Sequence, residues 1–90
     1  MTAARKVRVE FFFAEGCGRC AKARETLRET ARAAPNVEWR ETDVGKEPLR
    51  AVDAGVIGTP AVAIDGNLLF TSAPTAAELR GAIEARSKET

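Results

Sequence analysis

The chain has 90 residues, 44% hydrophobic and 30% charged, a composition that suits one soluble domain able to bury a core. Its 14 basic and 13 acidic residues leave a net charge of +1, which gives no electrostatic reason to expect nucleic acid or an anionic membrane as a partner. Histidine is absent, which excludes His general-base catalysis, Cys–His nucleophile pairs and mixed Cys/His zinc sites together.

No apolar run approaches the ~18 residues a membrane span needs. The segment Met1–Lys6 carries no apolar stretch ahead of the first strand, so a cytoplasmic location is expected. Residues 1–90 show no repeat, low-complexity tract or linker and are expected to form a single domain.

Residues 7–13 read as the first strand. Val7, Val9, Phe11 and Phe13 alternate on one side, with Arg8, Glu10 and Phe12 on the other. The run of three Phe predicts a central strand covered on both faces. Residues 18–34 read as a helix with the inward stripe Cys20, Ala23, Leu27, Ala31 and Ala34, stopped by Pro35-Asn36. The outward row Arg24, Arg28, Arg32 reads as a solvated face.

Residues 37–42 form a second strand, with Val37 and Trp39 on one face. Asp43 and Glu47 read as caps for a short helix over 47–54, with Pro48 in its first turn. Residues 61–65 and 68–72 flank Gly66-Asn67 and read as a β-hairpin. A last helix starts at Thr75, where Thr75-Ala76-Ala77-Glu78 matches a capping box, and runs to about Arg86 before fraying through Ser87–Thr90. The order β-α-β-α-β-β-α implies an α/β fold, a four-stranded mixed sheet flanked by three helices.

The only two cysteines stand in the run Cys17-Gly18-Arg19-Cys20, where the first strand gives way to the first helix. Thiolate, not thiol, attacks a disulfide. At Cys17 the unpaired N–H groups and positive end of the helix favour an ionised sulfur, and Arg19 adds a positive charge. Cys17 is therefore expected to be the exposed nucleophile. Cys20, heading the inward stripe, is expected to be shielded and to resolve the mixed disulfide. The same pair also suits a metal-binding or metal-transfer module holding Cu(I) or, across a dimer, zinc or an iron–sulfur cluster. That reading fits less well, because small metal chaperones want a hairpin after the first helix and 47–54 reads as helical.

The element order, with Cys17-Gly18-Arg19-Cys20 after strand one and Thr59-Pro60 before strand three, resembles the thioredoxin/glutaredoxin superfamily along nearly the whole chain. Phe12-Phe13-Ala14-Glu15-Gly16-Cys17-Gly18-Arg19-Cys20 is similar to the thioredoxin active-site stretch. Gly55-Val56-Ile57-Gly58-Thr59-Pro60-Ala61-Val62 is similar to the segment carrying that family's cis-proline. The length resembles the smaller, glutaredoxin-like version of the fold. By itself Thr59-Pro60 reads as a trans proline opening an edge strand. The resemblance implies a cis Pro60 packed on the disulfide, with Gly58 and Thr59 offering backbone to an extended substrate.

The resemblance further implies a thiol-disulfide oxidoreductase that exchanges electrons with protein or small-molecule disulfides, with no cofactor beyond its cysteines and no resident metal. Its expected partners are disulfide-containing proteins and a reductase or small thiol as electron donor, and it is expected to be a monomer. Gly18 and Arg19 would tune the redox poise. Arg19 stands where thioredoxins carry Pro, and a cation there stabilises the reduced form. The potential is expected above the thioredoxin value of about −270 mV, toward the glutaredoxin range of about −200 to −230 mV.

Three positions depart from the family pattern. Phe11 replaces a buried Asp that serves as proton acceptor for the resolving cysteine. Glu10 and Glu15 are the candidate substitutes for it, although each reads first as a solvated or edge charge. Gly16 replaces the Trp before the first cysteine. Thr71-Ser72-Ala73-Pro74-Thr75 lacks the Gly-Gly-Asp type segment of glutathione-using glutaredoxins; a substrate contact stays open to Ser72 and Thr75, with Thr75 reading first as a helix cap.

Overall fold

The structure, a computed structural model, describes residues 6–88. Seven elements follow one another: β1 (Val7–Phe13), α1 (Gly18–Ala33), β2 (Val37–Asp43), α2 (Pro48–Ala54), β3 (Ala61–Ile64), β4 (Asn67–Phe70) and α3 (Ala76–Ser87). The sheet order is β2-β1-β3-β4, with β1 parallel to β2 and antiparallel to β3. The architecture is thioredoxin-like, an α/β fold built on a four-stranded mixed sheet and three helices.

The alternation in β1 divides the core. Val7, Val9 and Phe11 lie in one buried cluster with Cys20, Leu27 and Ala31 of α1 and Leu79 and Ile83 of α3. Phe12 lies in a second cluster with Ala61 and Ala63, on the face that α2 covers. Each fully buried Phe is worth about 1.5–3 kcal/mol over an exposed one, so a strand with apolar residues on both sides is stable only at the centre of the sheet.

Element ends follow local chemistry. α1 stops at Ala33, one residue short of the expected end, and Ala34 caps it ahead of Pro35. The Thr75 hydroxyl accepts from the Glu78 N–H and the Glu78 carboxylate accepts from the Thr75 N–H, so the expected capping box is present. It is worth about 1 kcal/mol to α3. Ser87 is helical and Lys88 caps the helix, its N–H donating to the Glu84 carbonyl, so the expected fraying does not start at Ser87; Glu89 and Thr90 lie outside the described residues.

The hairpin turn sits one residue earlier than Gly66-Asn67. Asp65 and Gly66 carry the positive φ angles, 51° and 85°, that a tight two-residue hairpin turn requires at both central positions. Asn67 instead pairs with Ile64, and β4 ends at Phe70, opposite Val62.

Two charge assignments are corrected. Glu10 is not solvated: it is 3% exposed beneath α2. Its carboxylate accepts from Arg50 Nε at 2.8 Å, Arg50 Nη2 at 2.7 Å and the Thr42 hydroxyl at 2.5 Å. Burial alone would push this carboxyl up. The hydrogen bonds from Arg50 and Thr42, with the charges of Arg50 and Arg40, outweigh burial and hold it below the ordinary glutamate value. Glu47 occupies the N-cap position of α2 without capping it through its side chain, because its carboxylate is taken by Arg40 Nη2 at 3.0 Å. Asp43 accepts instead from the Gly45 N–H at 2.8 Å.

Candidate active site

β1 ends at Phe13 and the chain turns through Ala14-Glu15-Gly16. The Cys17 N–H donates to the Ala14 carbonyl at 3.2 Å, and Gly16 takes φ +77°, a conformation that side chains rarely adopt. Trp at this position would be strained, which accounts for the glycine. Cys17 then occupies the N-cap of α1 in an extended conformation. Its sulfur accepts from the Cys20 N–H at 3.2 Å, the task a Ser, Thr or Asp oxygen usually performs.

Cys17 and Cys20 form a disulfide, with their Cα atoms 5.2 Å apart. The two cysteines differ in environment. Cys20 is 3% exposed and belongs to the larger core cluster, whereas Cys17 is half-buried and packs at its margin. Both line a cavity of about 320 Å³ with Phe13, Glu15 and Arg24. Gly18 and Arg19 are exposed between them.

Thr59-Pro60 is a cis peptide bond, with Pro60 buried, Thr59 half-buried and Gly58 exposed. Gly58, Thr59 and Pro60 share with Arg19 a second, larger groove of about 600 Å³. The structure thus brings Arg19 and the Gly58-Thr59-Pro60 segment together. The cysteines themselves line the other, smaller cavity.

Two side chains near the site, Lys22 and Arg24, escape the sequence reading. Lys22 lines the large groove beside Arg19, and the i, i+3 spacing of these two cations on α1 is the signal that would have found it. Ser72, from the loop after β4 and open to a substrate contact in the sequence reading, lines the same groove. Arg24 is not merely solvated. Its Nε pairs with Glu41 at 2.9 Å and its guanidinium sits 5.7 Å from the centre of the Phe13 ring. Arg28 joins Glu41 more distantly, at 3.9 Å.

Where the family has a buried Asp, Phe11 is fully buried and stacks on Trp39 with ring centres 5.8 Å apart. Glu10 projects to the opposite face of the sheet from Cys20, so it is not placed to take a proton from that thiol. Glu15 lines the same cavity as both cysteines.

The family profile described as Thioredoxin domain matches residues 5–84. A thioredoxin of Methanocaldococcus jannaschii is 33% identical over 82 residues, covering 90% of this chain and 96% of that protein. The chain belongs to the thioredoxin family. With its cysteine pair closed as a disulfide, this family member is a thiol-disulfide oxidoreductase. A mutant thioredoxin from Halobacterium salinarum superposes with a TM-score of 0.81 at 22% identity, covering 94% of this chain and 78% of that one. The thioredoxin of Fasciola hepatica superposes with a TM-score of 0.76 at 29% identity, covering 92% and 82%. Among the described residues of this thioredoxin-family chain, no helix is long and apolar enough to cross a membrane.

Proposed function

We propose that the chain reduces protein disulfides with Cys17 as the attacking nucleophile and Cys20 as the resolving thiol. The observation that carries this reading is the asymmetry of the pair: one sulfur at the open N-terminus of α1, receiving a backbone N–H, and the other 3% exposed in the core.

In the reduced protein the Cys17 thiolate attacks one sulfur of the substrate disulfide. A protein–substrate disulfide forms and the first substrate thiolate leaves. Cys20 gives up its proton and attacks the Cys17 sulfur, closing the Cys17–Cys20 disulfide and releasing the second substrate thiolate. Two electrons pass to the substrate, and solvent protonates the released thiolates. A reductase or small thiol then reopens the disulfide by the same exchange run in reverse.

Gly58, Thr59 and Pro60 line the groove in which an extended substrate would lie, and Gly18 and Arg19 set the redox poise. In Arg19→Pro the potential, measured against a glutathione buffer, is expected to fall by tens of millivolts toward about −270 mV. An unchanged or higher potential would reject this role for Arg19.

The functional reading is tested by following insulin reduction with dithiothreitol while assaying the purified protein for metal. Catalysed turnover is expected. Stoichiometric tight metal without turnover would assign the cysteine pair to metal binding instead.

A further inference from the structure

The groove of about 600 Å³ beside Arg19 has one sign of charge. Its polar lining residues are Arg19, Lys22, Ser72 and four threonines, and no acidic residue is among those that line it. Among the described residues neither cation has an acidic partner, whereas Arg24, Arg28, Arg40 and Arg50 are each paired with glutamates. The carboxylate closest to the cysteines in sequence, Glu15, lines the other cavity.

This arrangement does nothing for the fold. Like charges three residues apart on a helix repel, at a cost of a few tenths of a kcal/mol. Cations in the first turns of a helix also oppose its dipole, and α1 has no acidic residue in its first turn to offset them. An anionic ligand in the groove would relieve both.

The groove also has an apolar end. It shares Gly58 and Thr71 with a hollow of about 270 Å³ lined also by Ala61, Leu68 and Ile57, a residue 97% exposed.

We infer that the preferred substrates of this chain are protein disulfides in extended segments that carry an acidic residue next to the reacting cysteine. The acidic side chain lies over Arg19 and Lys22, and an apolar neighbour lies on Ile57. The inference rests on the proposed roles of Cys17 and Cys20, and the chemistry is the two-electron exchange already described.

The test uses two disulfide-linked peptides of equal length, one with glutamates flanking its cysteine and one with lysines. Oxidation of the reduced protein by each is timed, and each rate is divided by the rate at which dithiothreitol reduces the same peptide. The glutamate peptide is expected to react about 10-fold faster at low salt, with the advantage shrinking toward unity near 1 M salt. Lys22→Glu is expected to lower the ratio at least several-fold. Arg32→Glu, the same charge reversal ten residues and about 15 Å further along α1, is expected to leave the ratio unchanged. Equal normalised rates for the two peptides, or a ratio insensitive to Lys22→Glu, would overturn the inference. Failure of both peptides to react would instead count against the proposed roles of the cysteines.

Discussion

In Cys20→Ser, the first encounter with a protein disulfide is expected to end in a stable protein–substrate adduct rather than in turnover. Cys17 attacks as before, but no second thiol lies within reach of its sulfur. In the intact protein that thiol is three residues away on the first turn of α1, with the Cα atoms 5.2 Å apart. Effective molarities of well-oriented intramolecular groups reach about 10⁵ M or more, against millimolar external thiol, so release is expected to slow by at least about 10³-fold. The adduct should be visible on a non-reducing gel and vanish with dithiothreitol. Cys17→Ser should form no adduct, and its insulin reduction should fall to the uncatalysed background. Adduct formation through residue 20 in Cys17→Ser would reverse the assigned roles.

Arg50→Met is expected to cost about 2 kcal/mol of stability, in the range for leaving a buried charged acceptor short of hydrogen bonds, because Arg40 at 3.4 Å and the Thr42 hydroxyl still face the carboxylate. Arg50 is the half-exposed partner and is easily rehydrated. Glu10, only 3% exposed, is left with a charge and no arginine fork above it. The melting temperature should drop by roughly 8–16 °C. Glu10→Gln should cost less, because Arg50 can turn to solvent.

The pair also sets a pH dependence. The folded-state value of Glu10 lies below its unfolded value of about 4.3, so its contribution is fully present above that value. It is lost as the pH falls from there through the folded value. Urea midpoints measured between pH 7 and pH 2.5 should show the wild type losing stability below about pH 4.3 more steeply than Glu10→Gln. Parallel pH curves for the two proteins would contradict the assignment.

Features that depend on neighbours in sequence were legible in it. The alternation of β1 announced a central strand, and Thr75 with Glu78 announced a helix start, because each signal lies within a few residues. Cys17 and Cys20 were legible because strand end, turn and helix start are contiguous. What escaped was assembled across the fold. Glu10 was expected in solvent because its partner, Arg50, comes from 40 residues downstream and meets it only once α2 covers the sheet. Arg24 was read as a surface charge because Glu41 arrives from the strand beside β1. The large groove joins α1 to loops after α2 and β4, so a substrate contact at Ser72 is readable from its segment but its sharing a groove with Arg19 and Lys22 is not. The one-residue shift of the hairpin came from two adjacent dipeptides, Asp65-Gly66 and Gly66-Asn67, competing for the same turn. The requirement for positive φ at both central residues decided it.

The central claim is that the sulfur of Cys17 is ionised and accessible in the reduced protein at neutral pH while that of Cys20 is neither. The most direct measurement is the pH dependence of alkylation by iodoacetamide, with the modified residue identified by peptide mass. The account predicts that a single thiol, Cys17, reacts first and that its rate is half-maximal well below the value of about 8.5 for a free cysteine. Preferential modification of Cys20, or a Cys17 rate that rises only above pH 9, would contradict it.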